Sequence, residues 1–558
     1  MGSTLTRTDD DEWMPTKKTD EVRQLTQLNP KQIKNRSGAF VWEVNDMMKF
    51  KRFLFLGVDN GFCYRAVNNE PKRENARCID RLIAEGKGRQ VVELIKDVSL
   101  LGRAARQGPT LFALALCARS NDIETKQMAY ECLNEICRIP THLFMFVQYC
   151  EDAGSGTGWG RAHRNALIRW YENKCKNPVA ASRLVTKYKK RGGWSHRDVL
   201  RLAHPKSQDP HMSVLFKFIV KGFVEAKIMA EETYSNEEKV KGMICYLEGT
   251  EKAKRCTDEE EMVRLINIHS LEREHVPTQL LNSKKVWQAL IKNLKMEATI
   301  RQLPKITNLG LCENGSWVEQ EIVKRLNDEA ALKAARIHPF KVLLALKTYG
   351  HGFGDKGNLI WTPNKNVVAA LDNAYYLSFR NVEPTGKRFL LAIDVSGSMN
   401  VPCVGSTTIT CRDAAAAMMM VTARTESNYD IVAFSHKLME MKINKDDTLP
   451  TVIKKTQDLP FGGTDCALPM IWAQENGKKY DVFIVYTDSE TWYGQVHPAR
   501  ALVNYRKSSG IPDAKLIVVG MAANNFSIAD PDDLGMLDIV GFDSAAPETI
   551  AEFSMGKL

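Results

Sequence analysis

KRFLLAIDVSGSMN, Lys387 to Asn400, is the stretch whose reading decides the fold. Phe389 to Ile393 is a short apolar run with the length and composition of a buried strand. It stops at Asp394, and Ser396 and Ser398 follow on either side of Gly397. Open α/β sheets hold their ligands beyond the carboxyl ends of such strands, so a carboxylate and two hydroxyls there form a candidate site. Alone, the string is equally what a polar turn with a helix cap would use. Two later loops tip the balance. FGGTD places Thr464 and Asp465 after a Gly-Gly turn, and DVFIVYTDSE is a second buried-strand pattern ending at Thr487, Asp488 and Ser489. Three strand-end loops that each offer an oxygen can converge on one ion. Hard oxygen donors suit Mg²⁺ or Mn²⁺ rather than Zn²⁺.

This set resembles the metal-ion-dependent adhesion site of von Willebrand factor A-type domains. The resemblance implies a divalent cation (Mg²⁺ or Mn²⁺) held by Asp394, Ser396, Ser398, Thr464 and Asp488. It also implies one coordination position left for an acidic group on a protein partner. The surrounding sequence agrees with a doubly wound, Rossmann-like sheet. YDIVAF, DVFIVYT and AKLIVVG supply further buried strands, and AAAAMMMVTARTE (Ala414 to Glu426) supplies a helix for one face.

At 558 residues the chain exceeds one ordinary core, and 44% hydrophobic with 26% charged residues is a soluble, globular composition. No apolar run approaches the roughly 20 residues that span a bilayer. The polar N-terminus, MGSTLTRTDDDEWMPTKKTDE, has no apolar core of a secretory signal. Thirteen scattered cysteines with no C-x-x-C pair fit reduced, packed thiols, so a cytoplasmic protein with a nuclear pool is expected.

Charge divides the chain. Residues 361–558 hold 18 Lys and Arg against 23 Asp and Glu, which leaves 59 against 44 for residues 1–360. A basic half of that size points to a polyanion, usually nucleic acid. The expected organisation is a flexible tail over 1–30, a helical RNA-binding domain over 31–378 and the A-type domain over 379–558. FLFLGVDNGFCYR (Phe53 to Arg65) reads as a β-hairpin turning at Asp59-Asn60-Gly61. From about Asn75 to Leu377 apolar residues recur at three and four, with Pro140 and Pro210 placed as first residues of helices. Long successions of helices suggest an α-solenoid, although no fixed repeat period is visible.

The densest basic stretch runs from Arg161 to Lys206, with 13 Lys and Arg against Glu172 and Asp198 only. Trp170, Tyr171, Tyr188, Trp194, His163, His196 and His204 are interleaved. Cations for phosphates and rings for unpaired bases are what single-stranded RNA requires. Trp170 and Tyr171 at helical spacing are also what a core would use.

KYKKRGGWSHRDVLRL (Lys187 to Leu202), CRIPTHLF (Cys137 to Phe144) and ARIHPF (Ala335 to Phe340) resemble the TROVE domain of the Ro autoantigen family. VEPTGKRFLLAIDVSGSM, GGTDCALPMIWAQ and FSIADPDDLGMLDIVGFD extend the likeness through the C-terminal half. The resemblance implies a monomeric ring of HEAT-like helical repeats closed by the A-type domain. It implies small non-coding Y RNAs on the outer surface and single-stranded 3′ ends of misfolded RNAs in the central hole, hence a role in RNA quality control. Arg161, Arg164, Arg183, Lys187 and His196 are the candidate RNA contacts, with Arg138, Thr141 and His142 as cavity candidates.

Enzyme readings fare worse. D-x-S lacks the second aspartate of D-x-D phosphotransferases, the serines lie in no G-x-S-x-G elbow, and neither a Walker loop nor H-E-x-x-H appears. Cys466 is a possible nucleophile but more simply a packed thiol. The reading is a binder without catalysis, and the alternative is a metal-dependent protein-interaction scaffold.

Overall fold

The computed structural model describes residues 12–13, 23–57, 71–154, 158–354, 358–379, 382–403, 406, 408–457, 459 and 462–558. Among the described residues helices dominate from Asp46 to Leu377, and a seven-stranded sheet organises the rest.

The helices begin where the sequence places capping residues. Pro140 and Pro210 open their helices, the second behind Asp209, whose side chain accepts from the His211 amide. Ser195 and Asp198 form a reciprocal capping box at the helix His196–Ala203. One expectation fails at the start. Phe53 to Leu56 are not a hairpin strand but the last turn of the helix Asp46–Leu56, capped by Asn45 and ended by Gly57 at φ +90°. Phe50, Phe53 and Leu54 are buried on one side of it, a helical spacing that outweighs the Asn-Gly signal. Asp59-Asn60-Gly61 lie outside the described residues.

The succession of helices closes on itself. Gly102 approaches Arg336, and the Nε2–H of His338 donates to the carbonyls of Arg103 (2.9 Å) and Phe542 (3.0 Å). Arg103 meets Asp543 through two hydrogen bonds, of 3.0 and 2.5 Å, so the C-terminal domain is wedged into the seam.

In the main sheet the strands run in the order Glu12–Trp13, Leu438–Glu440, Asn428–Phe434, Arg388–Asp394, Val482–Thr487, Lys515–Gly520, Met536–Val540. The five from Asn428–Phe434 to Met536–Val540 are parallel, and the two at the other edge are antiparallel. Alternate residues feed two cores. Leu391, Ile393, Ile484 and Tyr486 join the core that continues into the helical ring, while Leu390, Ala392, Phe483 and Val485 face the opposite layer. The helix Cys411–Thr425 is buried on every side from Cys411 to Ala423. It lies between sheet and ring, which is why its middle, Ala414 to Met420, is all Ala and Met with no polar stripe.

The expected mobile tail is corrected over its last residues. Gln24 is fully buried, and Gln32–Lys34 and Phe40–Glu43 form a small antiparallel sheet with Phe526–Ser527 of the C-terminal domain. Residues 23–44 therefore pack on the A-type body before the chain enters the first ring helix.

Candidate cation site and nucleic-acid interface

Chain order and sheet order diverge between Arg388–Asp394 and Val482–Thr487. From the first strand the chain moves outward to Asn428–Phe434, and it later returns to the other side. Neighbouring loops part there and leave a crevice at the strand ends. Asp394 and Asp488 stand on its two sides, both buried, with Ser396 and Thr464 buried and Ser398 half-buried beside them.

Local bonds hold this set in place. Asp394 Oδ1 accepts the Ser396 amide (2.9 Å) and Oδ2 accepts the Thr487 hydroxyl (2.6 Å). The Ser396 and Ser398 hydroxyls lie 3.1 Å apart. The Thr464 carbonyl accepts the amides of Trp492 (2.9 Å) and Tyr493 (3.0 Å), which ties the Gly-Gly loop to the loop after Asp488. Burial pushes the Asp394 carboxyl up, and Asp488 adds to the push. Asp394 forms no ion pair among the described residues. A buried carboxylate beside a second one calls for a counter-charge.

Among the described residues no group of three or more His, Cys, Asp or Glu side chains gathers to hold a metal. Two carboxylates and three hydroxyls are a hard-oxygen set, which fits Mg²⁺ or Mn²⁺. Cys466, within 3.6 Å of the Thr487 hydroxyl, is fully buried, and burial followed by Asp394 drives its thiol pKa well up. The thiol is enclosed on all sides by the domain.

The basic stretch divides on inspection. Arg161 and Arg164 are exposed on the helix Arg161–Lys174, and neither forms an ion pair among the described residues. Arg169, Lys190, Arg191, Arg197 and Arg201 are also exposed. Lys190 and Arg191 sit at a two-stranded hairpin with Trp194–Ser195. On this surface Trp194 stacks on Trp159 with ring centroids 5.7 Å apart.

Three candidates are not free surface groups. Lys187 is half-buried and ion-paired with Glu272, and Arg183 is half-buried with its guanidinium 5.7 Å over the Tyr246 ring. His196 is buried, its Nδ1 2.8 Å from the Tyr171 hydroxyl, and burial pushes its pKa down to about 3. The expected contact of His196 with RNA, by stacking or hydrogen bonding, is therefore corrected: the ring packs against Phe144, 4.9 Å away, inside the domain. Trp170 and Tyr171 are core residues too.

Arg138, Thr141 and His142 come together at the start of the helix Pro140–Ala153, all half-buried. Burial, then Arg336, lowers the Arg138 pKa. Burial, then Arg138, brings His142 down to about 4. Lys341 also acts on His142, and Glu297 opposes it. Arg336, Lys341 and Glu297 were not legible as part of this group, because they lie some 160 to 200 residues further along the chain.

A parallel, doubly wound sheet with an oxygen-lined switch crevice, wedged into a closed succession of helices, defines an A-type domain carried by a helical-repeat ring. The TROVE domain family matches residues 33–348 and the Ro60 vWA domain family residues 388–554. The chain belongs to the Ro60 family of TROVE-domain proteins. It is 39% identical to the RNA-binding protein RO60 of Caenorhabditis elegans, over 96% of this chain and 92% of that one. It is 36% identical to the RNA-binding protein RO60 of Deinococcus radiodurans, over 96% and 97%. The crystal structure of the D. radiodurans RO (RSR) protein superposes with a TM-score of 0.68 at 35% identity, covering 92% of this chain and 100% of that one.

Proposed function

We propose that this protein binds structured small non-coding RNAs of the Y type on its outer basic face and receives single-stranded 3′ ends of misfolded RNAs in the ring, as a non-catalytic component of RNA quality control. The observation that carries the reading is the exposed arginine face of the helix Arg161–Lys174 and the adjoining hairpin. Of the 13 Lys and Arg between Arg161 and Lys206, Lys187 alone has an ion-pair partner among the described residues. Elsewhere in the ring helices exposed cations are commonly paired with acids on their own helix, as in Arg89–Glu93, Lys252–Glu248 and Lys333–Glu329. A surface that keeps its cations uncompensated is suited to a polyanion. The names of the relatives support the same reading.

Arg138, Thr141 and His142, with Arg336 and Lys341, are the residues proposed to meet a threaded strand. In the A-type domain Asp394, Ser396, Ser398, Thr464 and Asp488 are proposed to hold Mg²⁺ or Mn²⁺, whose electron-poor face would attract an acidic group on a protein partner. The proposed location is the cytoplasm with a nuclear pool. Sequencing of RNA crosslinked to the protein by ultraviolet light tests the whole. Recovery of small structured RNAs and of RNAs with single-stranded 3′ ends supports the reading. Recovery of proteins without RNA would overturn it in favour of a metal-dependent scaffold.

A further inference from the structure

We infer that the segment from Gln24 to Arg36 is a working part of the cation site, holding the loops that carry Thr464 and Asp488 in register with Asp394; this inference rests on the cation reading proposed above. These residues come from the opposite end of the chain and lie outside the five-residue motif. Gln24 is fully buried, and its amide is spent entirely on the two loops. Its Nε2 donates to Asp465 Oδ1 (2.8 Å), next to Thr464, and to the Val496 carbonyl (2.7 Å). Its Oε1 accepts the Thr491 hydroxyl (2.6 Å), and its backbone amide donates to the Gly494 carbonyl (3.3 Å). The Thr491 hydroxyl in turn accepts the Cys466 amide (3.1 Å), so Gln24 and Thr491 together link the Thr464 loop to the loop after Asp488.

Further along the segment, Asn35 Nδ2 donates to the Thr491 carbonyl (2.6 Å) and Arg36 stands 3.9 Å from Glu490. The approach is so close that a Cβ on Gly494 would fall 2.4 Å from Gln24 Nε2 and 2.3 Å from Asp465 Oδ1. Asp488 is gripped from behind as well. Asn524 Nδ2 donates to its backbone carbonyl (2.5 Å), and Arg52 of the first ring helix donates to the Asn524 carbonyl. Hydrogen-bonded groups behind a metal ligand fix its direction, and their loss typically weakens metal binding by about 10- to 100-fold. An unsupported pair of loops would have to be ordered by the ion itself.

The test uses the full chain and Mn²⁺. Gln24→Met keeps the volume and removes the hydrogen bonds, Thr491→Val removes the link from the other side, and Lys507→Ala alters an exposed residue near the far end of the helix Pro498–Ser509. By calorimetry, Gln24→Met and Thr491→Val should weaken Mn²⁺ binding by about 10-fold or more, with Lys507→Ala unchanged. The rise in melting temperature caused by a fixed Mn²⁺ concentration should shrink in the same two variants. A merely structural role predicts otherwise, with the metal-free melting temperature falling while the Mn²⁺ increment stays whole. That result, or equal dissociation constants in wild type and either folded variant, would overturn the inference. A wild-type chain that takes up no Mn²⁺ would instead sink the cation reading itself, and this inference with it.

Discussion

Replacing Arg161 and Arg164 together by Ala should flatten the salt dependence of RNA binding without costing stability. Both guanidinium groups are exposed and form no ion pair among the described residues, so the folded protein loses no internal contact. Surface changes of this kind usually stay within about 0.5 kcal/mol. Each contact with a single-stranded phosphate contributes a slope of about −0.7 in log K against log salt, so two contacts contribute about −1.4. At 0.1 M salt that is about 25-fold in affinity, and between 50 and 200 mM the wild type should lose about 7-fold more than the variant. Lys187→Ala is the informative contrast. Its ammonium already neutralises Glu272, with side-chain exposures of 15% and 12%, so its loss leaves a nearly buried carboxylate without its cation. The expected cost is about 2 kcal/mol of stability, below the full penalty of a buried pair, with the salt slope unchanged. Fluorescence anisotropy of a labelled small RNA across 50–300 mM KCl reads both slopes. Parallel lines for wild type and the Arg161/Arg164 variant would refute the reasoning and leave the arginine face as ordinary solvated surface.

Asp394→Ala should abolish Mg²⁺ binding in calorimetry while RNA affinity stays within about twofold, because the basic face lies on other elements; lost RNA binding would contradict that separation. Acid should loosen the ring seam. Burial brings the His338 pKa down to about 4, with Lys341 also lowering it and Asp543 opposing. A base whose folded pKa lies below its unfolded value of about 6.5 contributes stability that is whole above 6.5 and lost as pH falls towards 4. The loss is on the order of 3 kcal/mol, read from urea midpoints between pH 7 and 4, and His338→Gln should remove that share of the pH dependence. His196→Ser should cost about 2 kcal/mol through the lost Tyr171 bond and Phe144 packing, and the fully folded fraction should keep its RNA affinity; a selective loss of binding at unchanged stability would contradict the buried position.

The crevice at the strand ends was legible because its signals are local. Apolar runs mark the strands, and the oxygen-bearing residues follow them directly at Asp394 and Asp488. Helix His196–Ala203 was misjudged although its spacing was readable. His196, Val199, Leu200 and Ala203 follow one another at three, four and seven, which puts the histidine on the apolar stripe. His163 likewise begins the buried series with Ala166, Leu167, Trp170 and Tyr171. Asn45 and Gly57 bracketed the first helix, but the Asn-Gly that follows it drew the reading towards a hairpin. Other features had no local trace. Glu272 is 85 positions from the lysine it neutralises, and nothing around Gln24 announces partners at 465, 491 and 496.

The bonds of Gln24 join residues 441 and 472 positions apart in the chain. During synthesis Gln24 leaves the ribosome at least 441 residues ahead of these two partners. The helical repeats fold from near neighbours and can form as they emerge, whereas contacts of such separation wait on the whole length of the chain. The nascent protein thus has a long interval in which helical repeats exist and the A-type domain does not. Over that interval the outer edge of Phe40–Glu43 is unpaired, a period of exposure to aggregation that ends when Phe526–Ser527 arrives.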